Sequence, residues 1–312
     1  MVRLNILVAH PMSQHRPPTI APVAAARWAQ QPVQIAPWLH DEVARRMAER
    51  LQWIKRSPAS WANWQALRGG MQAHAELRKR YPGAETWVVE ASPALARQVL
   101  DASTEAWWKP GRWSAAAQHA GMPASGGVQM VWSNMLLHQV ADPQALIADW
   151  HRALAVDGFL MFSCLGPDSL LELRRVYAAL GWPPPGHAFT DMHDWGDMLV
   201  QAGFAEPIMD MERIRLTYAT PDKLLEDLRG LGRNLHPGRF GALRGRRWHA
   251  QLRAELARQL ADPVEDGRLA LTFEIVYGHA FRPAARVPVA AQSAVSLDDM
   301  RGLLRHGKGG PP

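Results

Sequence analysis

Two hydrophobic rhythms run along the chain. In residues 38–55, "WLHDEVARRMAERLQWIK", apolar residues recur at Leu39, Val43, Met47, Leu51 and Ile54. Steps of three and four place them on one face of a helix. Ser57-Pro58 ends it, because proline disfavours helical backbone in the residue before it. Beyond that point short, nearly unbroken apolar runs alternate with amphipathic stretches. "ETWVVEAS" (85–92), "GVQMVWSN" (127–134) and "FLMFSC" (159–164) read as strands. Helices are predicted over 92–103, with Ser92 as cap and Pro93 at the first position, and over 142–154, with Asp142 as cap and Pro143 next. Two more follow, "GPDSLLELRRVYAAL" (166–180) and "MHDWGDMLVQAGF" (192–204), the latter closing at Gly203.

Apolar runs with little alternation mark strands covered on both faces, and strands joined through helices imply right-handed crossovers and a mostly parallel sheet. Residues 38 to about 211 therefore read as a doubly wound α/β layer. The first 37 residues carry Pro17, Pro18, Pro22, Pro32 and Pro37 and read as an irregular arm. After Pro221 the pattern is helical and Arg-rich over 220–262, an insertion before one last β-rich run, "RLALTFEIVYGHAF" (268–281). The core domain is thus expected to span 38–283, and the Pro/Ala-rich tail 284–312 to be disordered.

Composition narrows the function. With 47% apolar and 21% charged residues the balance is that of an ordinary globular protein. No apolar run reaches the roughly 18 residues of a membrane span, and no secretory signal is seen at the N-terminus. One cysteine, Cys164, excludes an intrachain disulfide and fits a reducing compartment, so a cytoplasmic location is expected. The 13 histidines are scattered without CxxC or HExxH, so no metal site is expected. The net charge of +6 is concentrated: residues 223–258 hold nine Lys and Arg against three acids, and the rest is nearly neutral. Such a stretch is either a solvated helix face or a docking surface for an acidic partner. Nucleic acid is disfavoured, because no aromatic residues interleave with the basic ones in a binding motif.

In an open parallel sheet, ligands sit beyond the carboxyl ends of the strands. Ser133 and Asn134 end the third run there, with His138 on the following loop. They either admit a ligand to the backbone, or Asn134 caps a turn and His138 packs on the next helix. Glu90 ends "TWVVE", where an acid in a nucleotide-binding fold accepts hydrogen bonds from ribose hydroxyls. The turn after the first strand, "SWANWQALRGGMQAHAEL", offers only Gly69 and Gly70 for close backbone approach.

Residues 128–174, "VQMVWSNMLLHQVADPQALIADWHRALAVDGFLMFSCLGPDSLLELR", resemble the heart of class I S-adenosylmethionine-dependent methyltransferases. With "HAFTDMHDWGDMLVQAGFAEPIMDMERIRLTY" and "YGHAF", the chain resembles more narrowly the malonyl-carrier-protein O-methyltransferases of biotin synthesis, over roughly residues 24–283. The resemblance implies a seven-stranded sheet with S-adenosyl-L-methionine across its carboxyl edge, and methyl transfer to the free carboxylate of a malonyl thioester on an acidic acyl-carrier protein. By position, it places Glu90 at the ribose, Gln118 and His119 in the adenine-side loop before Met122-Pro123, and Ser133 and Asn134 at the methionine side. The glycines of the family's first motif fall on Ala66, Arg68 and Gly70, with Trp64 or Gln65 where its acid belongs, and Gln118 replaces the acid of the adenine loop. Arg68 would crowd the cofactor's methionine tail or contact its carboxylate.

Carboxyl methylation needs proximity and a dry site more than proton transfer. An Arg fork suits the malonyl carboxylate, and Arg174 is the candidate, with His138 as a second substrate contact. Two other functions fit the same residues: a catalytically impaired relative serving as an interaction or assembly module, and a methyltransferase for another small acid.

Overall fold

The apolar runs become strands of one sheet. The computed structural model describes residues 20–103 and 116–284; the first 19 residues of the arm and the tail from residue 285 lie outside them. The strands are β1 (Ser60–Trp64), β2 (Glu85–Val89), β3 (Gln118–Ala120), β4 (Val128–Ser133), β5 (Leu154–Leu165), β6 (Ala205–Tyr218) and β7 (Leu269–Phe281). They lie in the order β3-β2-β1-β4-β5-β7-β6. The pairs from β3 to β5 are parallel, whereas β7 runs antiparallel to both β5 and β6. The strand order reverses between β1 and β4, which opens a crevice at their carboxyl ends.

The described helices are α1 (Pro22–Ala29), α2 (Trp38–Arg50), α3 (Ala66–Gly69), α4 (Met71–Arg80), α5 (Pro93–Ser103), α6 (Pro143–Ala153), α7 (Leu171–Ala179), α8 (Met192–Gln201), α9 (Pro221–Leu231) and α10 (Arg246–Gln259). Successive strand residues point to opposite faces, so each strand feeds two cores. Trp61, Met130 and Trp132 pack with Leu39, Val43 and Met47 of α2. Their neighbours Ala62 and Val131 pack with Ile147 and Trp150 of α6 and Trp195 of α8. A large apolar side chain buried this way contributes roughly 1.5–3 kcal/mol, which makes the double covering the main source of stability. Gly278 on β7 stands directly opposite Phe162 of β5 in the sheet, and a Cβ there would lie 2.0 Å from the Phe162 ring.

Three differences from the sequence reading have local causes. The arm is not irregular throughout: Pro22 starts α1 and "VAAA" sustains it, since proline fits a helix's first turn and alanine is its best former. Helix α1 then packs Ile20, Ala25 and Trp28 against Leu235. Helix α7 begins only at Leu171, because Leu170 adopts a left-handed φ of 59°. β6 is an edge strand, largely solvent-facing with alternating half-burial, so its sequence carries none of the apolar continuity that marked the buried strands.

Candidate functional site

β1 runs straight into the turn that decides the site. Gln65 turns left-handed at φ 58°, and its N–H is fixed on Val89 O at 2.8 Å. The one-turn helix α3 follows, and Gly70, at φ 118°, redirects the chain into α4. A Cβ on Gly70 would meet Asp41 Oδ1 at 2.7 Å, and one on Gly69 would lie 3.2 Å from Asn134 O. Both glycines therefore let this turn pack against α2 and the end of β4.

Asn134 closes that junction. Its amide donates to His40 O at 2.8 Å and to Gly69 O, while its Oδ1 accepts from Ser163 Oγ at 2.6 Å. At 2% exposure, the side chain is wholly committed to joining three segments. Ser133 is fully buried, and its hydroxyl has no partner among the described residues. The small polar pair after the apolar run is thus first a clasp between backbones.

Arg68, expected to crowd a ligand or contact its carboxylate, packs on α1. Its guanidinium lies 3.8 Å from the Trp28 ring centroid, and Nη2 donates to Trp28 O at 3.2 Å. Burial lowers its pKa to about 10, so it stays charged at neutral pH. His40 donates its Nδ1 hydrogen to Arg68 O at 2.8 Å, and burial holds that imidazole neutral, with a pKa of about 4.

Beside this turn lies a cavity of about 390 Å³, walled by Trp64, Val89 and Glu90 from the strand ends, Trp28 of α1, and Gln139 and Leu146. Arg68 is not among its walls. Glu90 Oε1 accepts the Leu67 N–H at 3.0 Å, and burial raises its carboxyl to about 7. Gln118 and His119 are not brought to this cavity. They sit within β3, paired with Thr86 and Trp87, and His119 stacks on Trp87 at 4.6 Å. Three residues of strand, roughly 10 Å, separate that point from Glu90.

A second cavity of about 320 Å³ lies between the end of β5 and helices α7, α9 and α10. His138, Gln139, Tyr177, Arg229, Arg233 and Trp248 face it, so Gln139 borders both cavities. Arg174 lies off this wall: it donates to His187 O at 3.3 Å and sits 5.3 Å from the Phe189 ring. The arginines at the wall are Arg229 and Arg233, neither of which has a carboxylate partner among the described residues. Arg233 bonds only backbone carbonyls and lies 4.9 Å from the same Trp28 ring.

The chain as a whole has relatives among known proteins. The chain is 40% identical over 277 residues to the malonyl-[acyl-carrier protein] O-methyltransferase of Laribacter hongkongensis, covering 85% of this chain and 88% of that protein. It is 39% identical over 262 residues to the protein of that name from Gallionella capsiferriformans, covering 80% and 86%. The chain belongs to the malonyl-[acyl-carrier protein] O-methyltransferase family. No family model matches it. Among solved structures, a Bacillus halodurans protein provisionally designated a methyltransferase superposes with a TM-score of 0.51 at 12% identity, over 77% of this chain and all of that one. The YcgJ protein of Bacillus subtilis does so with a TM-score of 0.50 at 10% identity, over 77% and 99%. These two share its overall fold.

For this member of the family, sequence reasoning missed Trp28 and Gln139, and it placed Arg229 and Arg233 in the basic stretch without assigning them to a cavity wall. Trp28 had a signal in the Pro22-led alanine run. The other three become neighbours only through long-range packing.

Proposed function

We propose that the chain transfers a methyl group from S-adenosyl-L-methionine to the free carboxylate of malonyl-[acyl-carrier protein], the step that starts pimeloyl assembly in biotin synthesis. The observation that carries this is the meeting of two cavities at one side chain, in a chain 40% identical to a protein of that name. The first cavity suits the cofactor. Its volume falls within the roughly 300–1,000 Å³ of small-molecule sites, and a carboxylate stands at the end of β2. Glu90 would hold the ribose hydroxyls, Trp64 and Val89 the apolar side, and Trp28 the outer wall. Gln65, the residue of this turn that lines the cavity, would face the methionine portion.

When bound, the cofactor supplies a methyl group on a cationic sulfur, which a carboxylate oxygen takes while the S–C bonding pair stays on sulfur. The protein's part is to bring the oxygen into line and keep water out. The apolar wall of the second cavity does the latter, and Arg229 and Arg233 supply guanidinium donors for a carboxylate.

The carrier would dock beside that cavity. Between α9 and α10, Phe240 and Leu243 are 47% and 98% exposed. Arg239, Arg244, Arg246 and Arg247 accompany them with no acidic partner among the described residues. An apolar tip accompanied by cations without carboxylate partners among the described residues suits an acidic carrier protein. Transfer of labelled methyl from the cofactor to malonyl-carrier protein, giving a base-labile ester, tests the reading. It fails if no ester forms, or if carrier binding is unchanged between low salt and about 0.15 M, where the Debye length is roughly 8 Å.

A further inference from the structure

Gln139 is 8% exposed and borders both cavities, and its amide is fully engaged. Oε1 accepts from Trp28 Nε1, and Nε2 donates to Leu231 O at 3.2 Å and meets His138 Nε2 at 3.0 Å. His138, 5% exposed, also receives the Leu165 N–H on Nδ1 at 3.2 Å. These contacts ask both ring nitrogens of His138 to accept. A neutral imidazole has one acceptor and one N–H.

No rearrangement within the network removes the conflict. With the proton on Nε2, His138 and Gln139 present two donors to each other. With the proton on Nδ1, His138 opposes the Leu165 N–H. Turning the Gln139 amide over satisfies His138 but sets its NH2 against the Trp28 N–H and its oxygen against Leu231 O. The group is one acceptor short, and a buried unmatched donor costs roughly 1–3 kcal/mol. Charging His138 is no escape, since burial and the nearby His187 and His40 rings hold it neutral.

We propose that Gln139 is a positioning residue for methyl transfer, and that the donor left over between Gln139 and His138 is satisfied by an oxygen of the acyl acceptor entering the second cavity. Resting on the proposed reaction, this assigns the contact nearest the partition: an oxygen of the malonyl group takes the His138 Nε2 hydrogen. Gln139 stays fixed to Trp28 and Leu231. Arg229 and Arg233 then act farther out on the same cavity wall. The acceptor's entry is coupled to Trp28, and through it to the cofactor cavity.

The test uses full-length protein with 15N-labelled histidine, His138 being assigned by its loss in His138→Gln. Without ligand, its two nitrogens are expected to report a mixture of tautomers. Adding the malonyl thioester of N-acetylcysteamine with S-adenosylhomocysteine is expected to give a single form protonated on Nε2. Gln139→Glu offers an acceptor oxygen to both Trp28 and His138, so the Nε2-protonated form is expected without ligand. Gln139→Leu is expected to lower kcat/KM for malonyl-carrier protein by about tenfold or more. A single His138 tautomer in ligand-free wild type, unchanged in Gln139→Glu, would overturn the proposal. So would a Gln139→Leu enzyme with kcat/KM within about twofold. Wild-type protein that transfers no methyl group would sink the reaction instead, and the ligand-free comparison with Gln139→Glu would still decide this inference.

Discussion

The first cavity is walled by α1, by the ends of β1 and β2 and by the segment after β4, and the second mainly by helices that arrive late in the chain. β1 and β2 reach the first through parallel register, with Trp64 beside Val89 and Glu90 one residue on. Its charged side chains are two carboxylates, Glu90, which burial raises to about 7, and Asp142. The second draws on α7, α9 and α10, and its charges are arginines without carboxylate partners among the described residues. Sheet geometry fixes the position of the first, so the first-motif positions can change to Ala66 and Arg68 while the cavity persists. The second depends on side chains alone, so single replacements there should matter more to the acceptor than to the fold.

Removing both wall cations should break the comparison most sharply. Arg229→Ala with Arg233→Ala is expected to lower kcat/KM for malonyl-carrier protein by about 100-fold or more, since each charged hydrogen bond contributes roughly 1.5–3 kcal/mol. Calorimetry should show cofactor affinity unchanged. Arg174→Ala, which loses a bond to a backbone carbonyl, should cost far less. In the opposite direction, Glu90→Ala is expected to weaken cofactor binding about 10- to 100-fold and leave the carrier's own affinity alone.

A pH series sharpens the same contrast. Burial raises Glu90 from 4.5 to about 7, and only its ionised form accepts from both ribose hydroxyls. Cofactor affinity should therefore be weak at pH 6, rise through pH 7 and level off above it, a dependence absent from Glu90→Gln. The folded state keeps this proton longer than the unfolded chain does. Glu90 therefore makes stability fall as pH rises from about 4.5 to 7, a slope that denaturant titration can detect and that Glu90→Gln should remove. The smallest effect on chemistry belongs to Gly70→Ala. It forces a side chain into φ 118° against Asp41, costing about 1–3 kcal/mol of stability, while the folded fraction keeps its turnover.

Much of the fold was legible because buried parallel strands leave unbroken apolar runs: "VQMVWS" and "FLMFSC" became β4 and the heart of β5. β6 escaped because an edge strand alternates, and α1 because its prolines masked an alanine run that begins at one of them. Glu90 could be read as a residue of the sheet's carboxyl edge, where it does line the first cavity, since the end of β2 is fixed by topology. Ser133 and Asn134 were legible as rim positions, but their bonding was not, because His40, Gly69 and Ser163 come from three distant segments. Arg174 and Arg233 are equally basic in sequence; only the packing of α7 and α9 shows which faces the acceptor cavity.

The replaced glycine turn leaves one direct measurement to make: calorimetric titration of S-adenosyl-L-methionine into the full-length protein at pH 8. One-to-one binding is expected, with a dissociation constant inside the roughly 1 μM to 1 mM range usual for enzyme substrates. Absence of saturable binding at several millimolar would contradict the cofactor assignment.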